Sequence, residues 1–387
     1  MAELVRTAER ILSGQFGRHA ALRPERAWDG GKSTVLRCRL LDAAPPAPTS
    51  VIVKRSKHGA ILEDWAASLF LEQVPHEPPL APRCYGGDLA AQVIVLEDLG
   101  DGEGPDTREL LLGDDPDHAA AALVEHLRLV GELHGETAGR AEAYARVRRA
   151  LGPPRPPRPL YKDPWSDARG SALTEQDRLQ AVREYRGSLE PLGLRPPAAA
   201  DEEIDLVTRR VEGDPGPFLA FCQGDLNEPG GCARWRGRQR LFDFDCGGFR
   251  HALLEGLAGR LTWGAASRIP AGVIGAMEQA YRRALAVNCA AARDDVLYRR
   301  ALAEAAARWH VFHVIWRLPT ALERDYQRGL TWLRQQQLAW LEGFAAVAEE
   351  CGHATALGSS ARALAARLRE QWPSDVVDLP FYPAFRR

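Results

Sequence analysis

The sequence predicts an α+β fold of two lobes, a small antiparallel β-rich lobe over residues 1–99 and a larger, mainly helical lobe over residues 100–387. Two observations carry this prediction. Short runs of β-branched residues separated by turn signals fill the first hundred positions, whereas apolar residues recur at helical spacing in most of the chain after residue 117. The glycine-rich stretch 100–104 lies between these regions and marks the predicted boundary.

The predicted N-terminal lobe is a five-stranded antiparallel sheet with one helix, over about residues 20–99. Asp-Gly-Gly at 29–31 separates two alternating runs, which is a strong hairpin signal. The elements predicted around it are a preceding helix over 3–14, strands over 50–55 and 91–99, and a helix over 61–72.

The predicted C-terminal lobe is mostly helical and contains a short β segment. Capping boxes at Thr174 to Asp177 and at Thr320 to Glu323 predict two of the helix starts. Helices are predicted over 117–139, from 174, and over 198–213, 249–263, 270–288, 292–317, 320–350 and 356–371. Strands are predicted over 217–222, 232–236 and 240–244.

The composition argues against several classes of protein. The 50 basic and 52 acidic side chains leave a net charge of −2, without the basic surplus that binding to nucleic acid phosphates requires. No apolar run approaches the ~20 residues of a membrane-spanning helix, and the first residues lack a signal-peptide core. The seven cysteines include no Cys-x-x-Cys pair, which argues against a disulfide framework and a zinc site. We therefore expect a cytoplasmic protein that binds neither nucleic acid nor membranes.

Lys54 ends a Val-Ile-Val strand and is one of only four lysines among the 50 basic residues. In a chain so rich in arginine, as a GC-rich bacterial genome would encode, a retained lysine indicates that a compact ammonium is required. Near the boundary of the two lobes, such a lysine can neutralise the phosphates of a nucleotide. The structural alternative is a solvated lysine at the sheet edge.

Acidic residues follow Lys54 at two places that a nucleotide site would use. Glu63 and Asp64 stand near the start of the next predicted helix, where either could pair with Lys54. The structural alternative is that they are there because acids near a helix N-terminus interact favourably with the helix macrodipole. The stretch from Glu97 to Leu99 ends the last strand of the lobe. Its extended backbone could face the edge of an adenine, or it could simply leave the sheet.

Asp225 and Asp243 are the main candidates for catalysis. Each follows or ends an apolar strand. Burying two carboxylates at the ends of neighbouring strands costs free energy unless they share a cation or a proton. One carboxylate can deprotonate a hydroxyl group while the other holds Mg²⁺ against the phosphates. Aspartates of tight turns and helix caps are the structural alternative.

Four motifs together resemble a known family. They are Val51-Ile52-Val53-Lys54, Val93-Ile94-Val95-Leu96-Glu97-Asp98-Leu99, Gly224-Asp225 and Phe242-Asp243-Phe244-Asp245. This series resembles the aminoglycoside phosphotransferase-like branch of the protein-kinase-like fold, which includes choline and homoserine kinases, over essentially the whole chain. The resemblance implies ATP or GTP and Mg²⁺ as cofactors, with Lys54 on the phosphates and Asp64 or Glu63 as its partner. It also implies Asp225 as catalytic base and Asp243 as metal ligand.

The chain departs from the family pattern at two positions of the catalytic loop. Gln223 stands where the family has His, and Gly230 stands where it has a metal-binding Asn. Gln223 can still hydrogen-bond to neighbouring backbone, whereas Gly230 offers no side chain to a metal. Asn227 or Glu228 lies close enough in sequence to substitute.

The leading hypothesis is a phosphotransferase that uses ATP or GTP to phosphorylate a hydroxyl group of a small molecule or a peptide. The alternative is a catalytically lapsed, kinase-like protein that binds a ligand or a partner. Residues 290–350, where the acceptor is expected, hold eight acids and eight arginines, a balance that does not favour polycationic aminoglycosides. The acceptors that remain are a neutral sugar-like metabolite, a natural-product intermediate and a peptide Ser or Thr.

Overall fold

The structure, a computed structural model, describes residues 1–41, 47–59, 61–100, 105–153, 158–163, 166–224, 229–235, 238–372 and 378–386. Its strands are β1 (Ala21–Asp29), β2 (Ser33–Leu41), β3 (Ser50–Ser56), β4 (Cys84–Asp88), β5 (Val93–Glu97), β6 (Leu219–Cys222), β7 (Cys232–Trp235), β8 (Arg238–Leu241), β9 (Gly248–His251), β10 (Gln327–Arg328) and β11 (Thr331–Trp332). Its helices are α1 (Ala2–Phe16), α2 (Ile61–Leu71), α3 (Thr107–Leu112), α4 (Pro116–Thr137), α5 (Ala141–Leu151), α6 (Glu175–Leu189), α7 (Ala198–Thr208), α8 (Leu253–Gly256), α9 (Trp263–Ala266), α10 (Ala271–Leu285), α11 (Asp295–Trp316), α12 (Leu318–Glu323), α13 (Leu333–Cys351) and α14 (Thr355–Gln371).

The chain divides into two compact units. The first comprises Met1–Asp106, Glu142–Arg155 and Gly231–Gly247, and the second comprises Thr107–Ala141, Pro156–Gly230 and Gly248–Arg387. The first unit therefore takes β7, β8 and the residues after them from late in the chain. The predicted boundary at residues 99 and 100 falls inside its first segment.

The first unit is built on a five-stranded sheet of order β1-β2-β3-β5-β4, in which every neighbouring pair is antiparallel. Helix α1 packs on one face, where Leu12 joins the buried side chains of Leu36 and Val53. Helix α2 packs on the other face, where Ile61 joins Ile94. The sheet and its helix confirm the predicted fold class for this region. Strand β4 was not identified from the sequence, because its two glycines break the strand pattern.

The second unit is mostly helical, as predicted. Helices α4 and α10 lie so close that a Cβ on Gly131 would stand 2.5 Å from the carbonyl oxygen of Tyr281, and one on Gly135 would stand 3.4 Å from that of Leu285. Glycine at these positions is what permits the approach. In the part of the chain that the structure describes, no helix has both the length and the hydropathy to span a membrane.

Two helix predictions in this unit are wrong in their bounds. The helix predicted over 249–263 begins with strand β9, which pairs with β6 and places Phe249 beside Phe221. The helix predicted over 320–350 is interrupted by the hairpin of β10 and β11, where Gly329 has a φ of +65° that a helix cannot accommodate. Helix α5 was not identified from the sequence.

Leu36 and Leu41 of β2 provide a matched test of the sheet core, because Leu36 is fully buried whereas Leu41 is 40% exposed. We expect Leu36→Ala to lower the free energy of unfolding by about 2–5 kcal/mol. Leu41→Ala should change it by less than about 0.5 kcal/mol. Urea unfolding measures both, and equal losses would contradict the assigned register.

His126 of α4 provides a test of burial through pH, since its ring is fully buried 4.8 Å from the ring of Trp263. Burial lowers the pKa of His126 to about 4. In the unfolded chain the His126 ring takes up a proton near pH ~6.5. The contribution of His126 to the free energy of unfolding is therefore fully present above that pH and is lost as the pH is lowered towards 4. We expect His126→Phe to reduce this slope by about 1.4 kcal/mol per pH unit, measured by denaturation at several pH values. An unchanged slope would contradict the burial of a neutral His126.

Candidate active site

Lys54 lies in β3, the central strand of the five-stranded sheet. It pairs in register with Val35 of β2 and Ile94 of β5. Because side chains alternate along a strand, Val51 and Val53 enter the core under α1, and Lys54 points to the opposite face, where α2 packs. Lys54 is only 8% exposed, so it is not a solvated edge lysine.

Asp64 of α2 forms an ion pair with Lys54 on this face. Lys54 Nζ donates to Asp64 Oδ2 at 2.6 Å, and the other carboxylate oxygen accepts the backbone N–H of Phe244 at 3.2 Å. Asp64 is 1% exposed, and hydrogen bonds on both of its oxygens are what a buried carboxylate requires. Glu63 instead accepts from Arg148 of α5 at 2.9 Å. The two acids that the sequence left as alternatives therefore have different partners.

Asp243 brings a second carboxylate to Lys54, because Lys54 Nζ also donates to Asp243 Oδ1. The strand predicted over 240–244 ends at Leu241, whose N–H donates to the carbonyl of Leu80 at 2.9 Å. Beyond it, Asp243 has a φ of +65°, a left-handed conformation that Asp tolerates better than most residues. Its side chain is 50% exposed, unlike that of Asp64.

The carboxylates near Lys54 offer a place where a metal cation could bind. Burial disfavours the ammonium of Lys54, but the carboxylates of Asp64 and Asp243 outweigh burial and raise the pKa of Lys54. Burial, followed by the charge of Asp243, raises the pKa of Asp245. Asp243 and Asp245 thus present oxygen donors whose mutual repulsion a divalent cation would relieve, and oxygen is the ligand that Mg²⁺ prefers.

The chain leading to Asp225 is anchored by Glu255 of α8. Asp225, Asn227 and Glu228 lie outside the described residues. The buried Glu255 carboxylate accepts the N–H of Gly224 at 2.6 Å and that of Gln223 at 3.2 Å. Gln223 and Gly224 are the two residues before Asp225, so Glu255 fixes the backbone at this point of the chain.

His134 holds Glu255 from the other side. Its Nε2 lies 2.9 Å from Glu255 Oε2, and its Nδ1 lies 2.8 Å from the hydroxyl of Tyr281. His134, Glu255 and Cys222 offer potential metal-ligating atoms within 4.8 Å of one another. We assign His134 and Glu255 a positioning role, since the Glu255 oxygens already accept hydrogen bonds from backbone and imidazole. Sequence reasoning missed Glu255, although a lone acid in the apolar run 252–258 signals a buried partner.

The strands that precede Asp225 and Asp243 are not neighbours, and that part of the prediction is wrong. Strand β6, before Asp225, pairs with β9, whereas β8, before Asp243, pairs with β7. The reason is that residues 248–251 form a strand rather than the start of a helix, and this strand is the one that pairs with β6.

Glu97 and Leu99 stand at the end of β5. The N–H of Glu97 donates to the carbonyl of Arg83 at 2.8 Å, so it is not available to an adenine. The Glu97 carboxylate pairs with Arg240 at 3.0 Å, a buried arginine of β8 that sequence reasoning also missed. Leu99 is buried. A role for Glu97 and Leu99 in nucleotide binding stays a prediction.

The Lys54–Asp64 pair can be tested through stability. Lys54→Met leaves a buried carboxylate without its cation and should lower the free energy of unfolding by about 3–5 kcal/mol. Lys54→Met combined with Asp64→Leu should be more stable than the single variant. As a control, Lys57→Met removes the exposed pair with Asp29 (2.8 Å), whose loss should change stability far less because water screens the two charges. Denaturant unfolding measures all three, and equal losses for the two lysines would contradict the buried pair.

Comparisons with known proteins returned matches among solved structures only. No family model matches the chain, and no curated protein does. A choline/ethanolamine kinase family protein of Mesorhizobium loti is 13% identical, with 93% of this chain and 99% of that one covered, at a TM-score of 0.46. Choline kinase LicA of Streptococcus pneumoniae is 11% identical (90% and 99% covered, TM-score 0.37), and an aminoglycoside phosphotransferase of Alicyclobacillus acidocaldarius is 13% identical (90% and 92%, TM-score 0.40). These proteins belong to the families that the four sequence motifs resemble.

Proposed function

We propose that this chain is a cytoplasmic phosphotransferase that transfers a phosphoryl group from ATP or GTP to a hydroxyl group. One observation carries the proposal. Lys54 is fixed by the buried carboxylate of Asp64 and also touches the half-exposed carboxylate of Asp243. A strand lysine held by a helix acid, beside an aspartate that can bind metal, is the arrangement that positions nucleotide phosphates in kinases.

We propose a role for each charged group. An ammonium has three N–H donors, and Asp64 and Asp243 accept from two, so a third can face a phosphate oxygen. Asp243 and Asp245 would hold Mg²⁺, which when bound neutralises charge on the phosphate oxygens. Asp64 keeps Lys54 in place because its carboxylate is only 1% exposed, so little water competes for the ion pair.

The acceptor half of the reaction is assigned to Asp225. We propose that its carboxylate takes the proton of the acceptor hydroxyl while the oxygen attacks the phosphoryl group. The hydrogen bonds from Gln223 and Gly224 to Glu255 support this role, since they fix the backbone just before Asp225. Glu255 acts through this backbone and is a positioning residue.

Gly230 favours a second candidate function, a kinase-like protein that binds a ligand without transfer. Its position lacks the side-chain oxygen that a metal site would use. The two candidates differ in one measurable property. Only the enzyme forms ADP or GDP in the presence of an acceptor.

Nucleotide binding is tested by thermal shift of the full chain with ATP and with GTP, each with and without Mg²⁺. We expect stabilisation that requires Mg²⁺, of about 2.7 kcal/mol at a ligand concentration of about 100 Kd. Asp243→Asn should abolish the Mg²⁺-dependent part; Asn is chosen because it tolerates the positive φ better than Ala. Asp88→Asn, which removes an exposed pair with Arg10, is the control and should leave binding unchanged.

A transfer assay then separates the two candidates. Asp225→Asn should bind nucleotide normally and form no product, whereas Gly230→Asn should tighten binding of the Mg²⁺ nucleotide. Binding without product formation in the wild type would favour the binding protein. A wild type that binds neither nucleotide would overturn the proposal.

A further inference from the structure

Helix α5 packs on α2, the helix that carries Asp64. The stretch Glu142–Arg155 belongs to the first unit, although the chain on either side of it belongs to the second. Every residue of α2 is buried or half-buried, whereas a helix that packs on one surface alone leaves a polar face exposed to water. The five-stranded sheet covers one face of α2, and α5 covers another.

Two apolar contacts show how α5 and α2 run past each other. The ring of Tyr144, near the start of α5, meets the ring of Phe70, near the end of α2, edge-on with centroids 5.5 Å apart. Gly152 directly follows α5, and a Cβ there would stand 3.1 Å from Leu62 Cδ2, near the start of α2. The start of each helix therefore meets the end of the other, so the two helices are antiparallel and touch along most of their length.

An ion pair lies between these two contacts. Arg148 Nη2 of α5 donates to Glu63 Oε1 of α2 at 2.9 Å, and the two side chains are only 11% and 10% exposed. Arg148 Nη1 donates to the carbonyl of Pro153 at 2.8 Å, which holds the guanidinium against the end of its own helix. Because little water reaches the pair, the loss of Arg148 would leave the Glu63 carboxylate buried without this cation, which is unfavourable.

Glu63 and Asp64 hold α2 from two directions. Successive residues of an α-helix point about 100° apart, so these two neighbours reach different surroundings. Asp64 accepts from Lys54 of β3 at 2.6 Å, and Glu63 accepts from Arg148 of α5. A rotation of α2 about its own axis would pull both carboxylates away from their partners. The pair with Arg148 therefore opposes a movement that would separate Asp64 from Lys54.

We propose that Arg148 is a positioning residue, which acts through Glu63 to hold α2 in the rotation that keeps Asp64 on Lys54. Helix α5 is then a brace for the lysine of the candidate site. The consequence for the reaction rests on the proposed function. A lysine that Asp64 no longer holds in place would bind nucleotide phosphates less tightly, because its ammonium would have to be ordered on binding.

The chemical reactivity of Lys54 tests the proposal without nucleotide. Acetic anhydride acetylates amine nitrogens that it can reach, and the full chain has only four lysines, so mass spectrometry can follow the rate at each one. Lys54 is 8% exposed and should react slowly, whereas Lys162, whose side chain is 55% exposed, is the internal reference. We expect R148Q to raise the rate at Lys54 at least about tenfold relative to Lys162, because local opening of α2 becomes easier.

Three further variants separate positioning from a general loss of stability. R148K keeps a cation for Glu63 and should keep Lys54 protected. R149Q removes the next arginine of the same helix, which pairs with Glu142 at the surface, and should react like the wild type. L36A removes a buried side chain on the opposite face of the sheet and should also leave Lys54 protected. An unchanged rate at Lys54 in R148Q, an equal rise in R149Q or L36A, or no protection in R148K would overturn the proposal.

The consequence for nucleotide is measured by calorimetry of the full chain with ATP and GTP in the presence of Mg²⁺. R148Q should weaken binding at least about tenfold, which corresponds to about 1.4 kcal/mol, whereas R149Q should bind like the wild type. Faster acetylation of Lys54 in R148Q without weaker binding would overturn the role of Arg148 in the nucleotide site.

The two measurements distinguish this inference from the proposed function. Faster acetylation of Lys54 in R148Q, combined with a wild type that binds neither nucleotide, would retain the positioning of Lys54 by Arg148 and reject the phosphotransferase. Nucleotide binding that Asp243→Asn abolishes, combined with an unchanged rate at Lys54 in R148Q, would retain the phosphotransferase and reject the positioning role.

Discussion

The ion pair between Lys54 and Asp64 determines how the first unit is arranged. Burying either charge alone would cost several kcal/mol, so each needs the other and a full set of hydrogen bonds. Asp64 meets that need by accepting from Lys54 and from the backbone of Phe244. One carboxylate therefore joins β3, α2 and the segment after β8, which are far apart in sequence. Asp243, the residue before Phe244, has a left-handed backbone conformation, and its carboxylate accepts from the same ammonium.

Glu255 has a comparable part in the second unit. It is buried, it is held by His134, and it receives the N–H groups of two consecutive residues before Asp225. In each unit, then, a buried carboxylate fixes the backbone beside an aspartate to which we assign chemistry. The difference is in the partner, since Asp64 is neutralised by a lysine, whereas Glu255 is stabilised by hydrogen bonds.

Local patterns predicted much of the first unit and of its site. The alternation around Lys54 and the helical spacing after it were enough to bring the lysine and the α2 acids to one face. The choice between Glu63 and Asp64 was not predictable, because it depends on Arg148, a residue of a helix that the sequence pattern did not reveal. Glu255, Arg240 and the pairing of β6 with β9 depend on contacts between segments distant in the chain, which no local periodicity encodes. The hairpin inside the predicted helix 320–350 shows the same limit, since the capping signal at Thr320 was read as the start of a long helix.

The contact of α4 with α10 has a mechanical consequence. At Gly131 the helix backbones touch without intervening side chains, so the two helices cannot slide independently. His134 lies one turn farther along α4, and Tyr281 stands on α10, and the two are hydrogen-bonded to each other. A displacement of α10 therefore moves Tyr281, His134 and Glu255 together. Through Glu255 it also moves the backbone before Asp225. The close approach at Gly131 and Gly135 therefore couples the position of α10 to the backbone at Gln223 and Gly224.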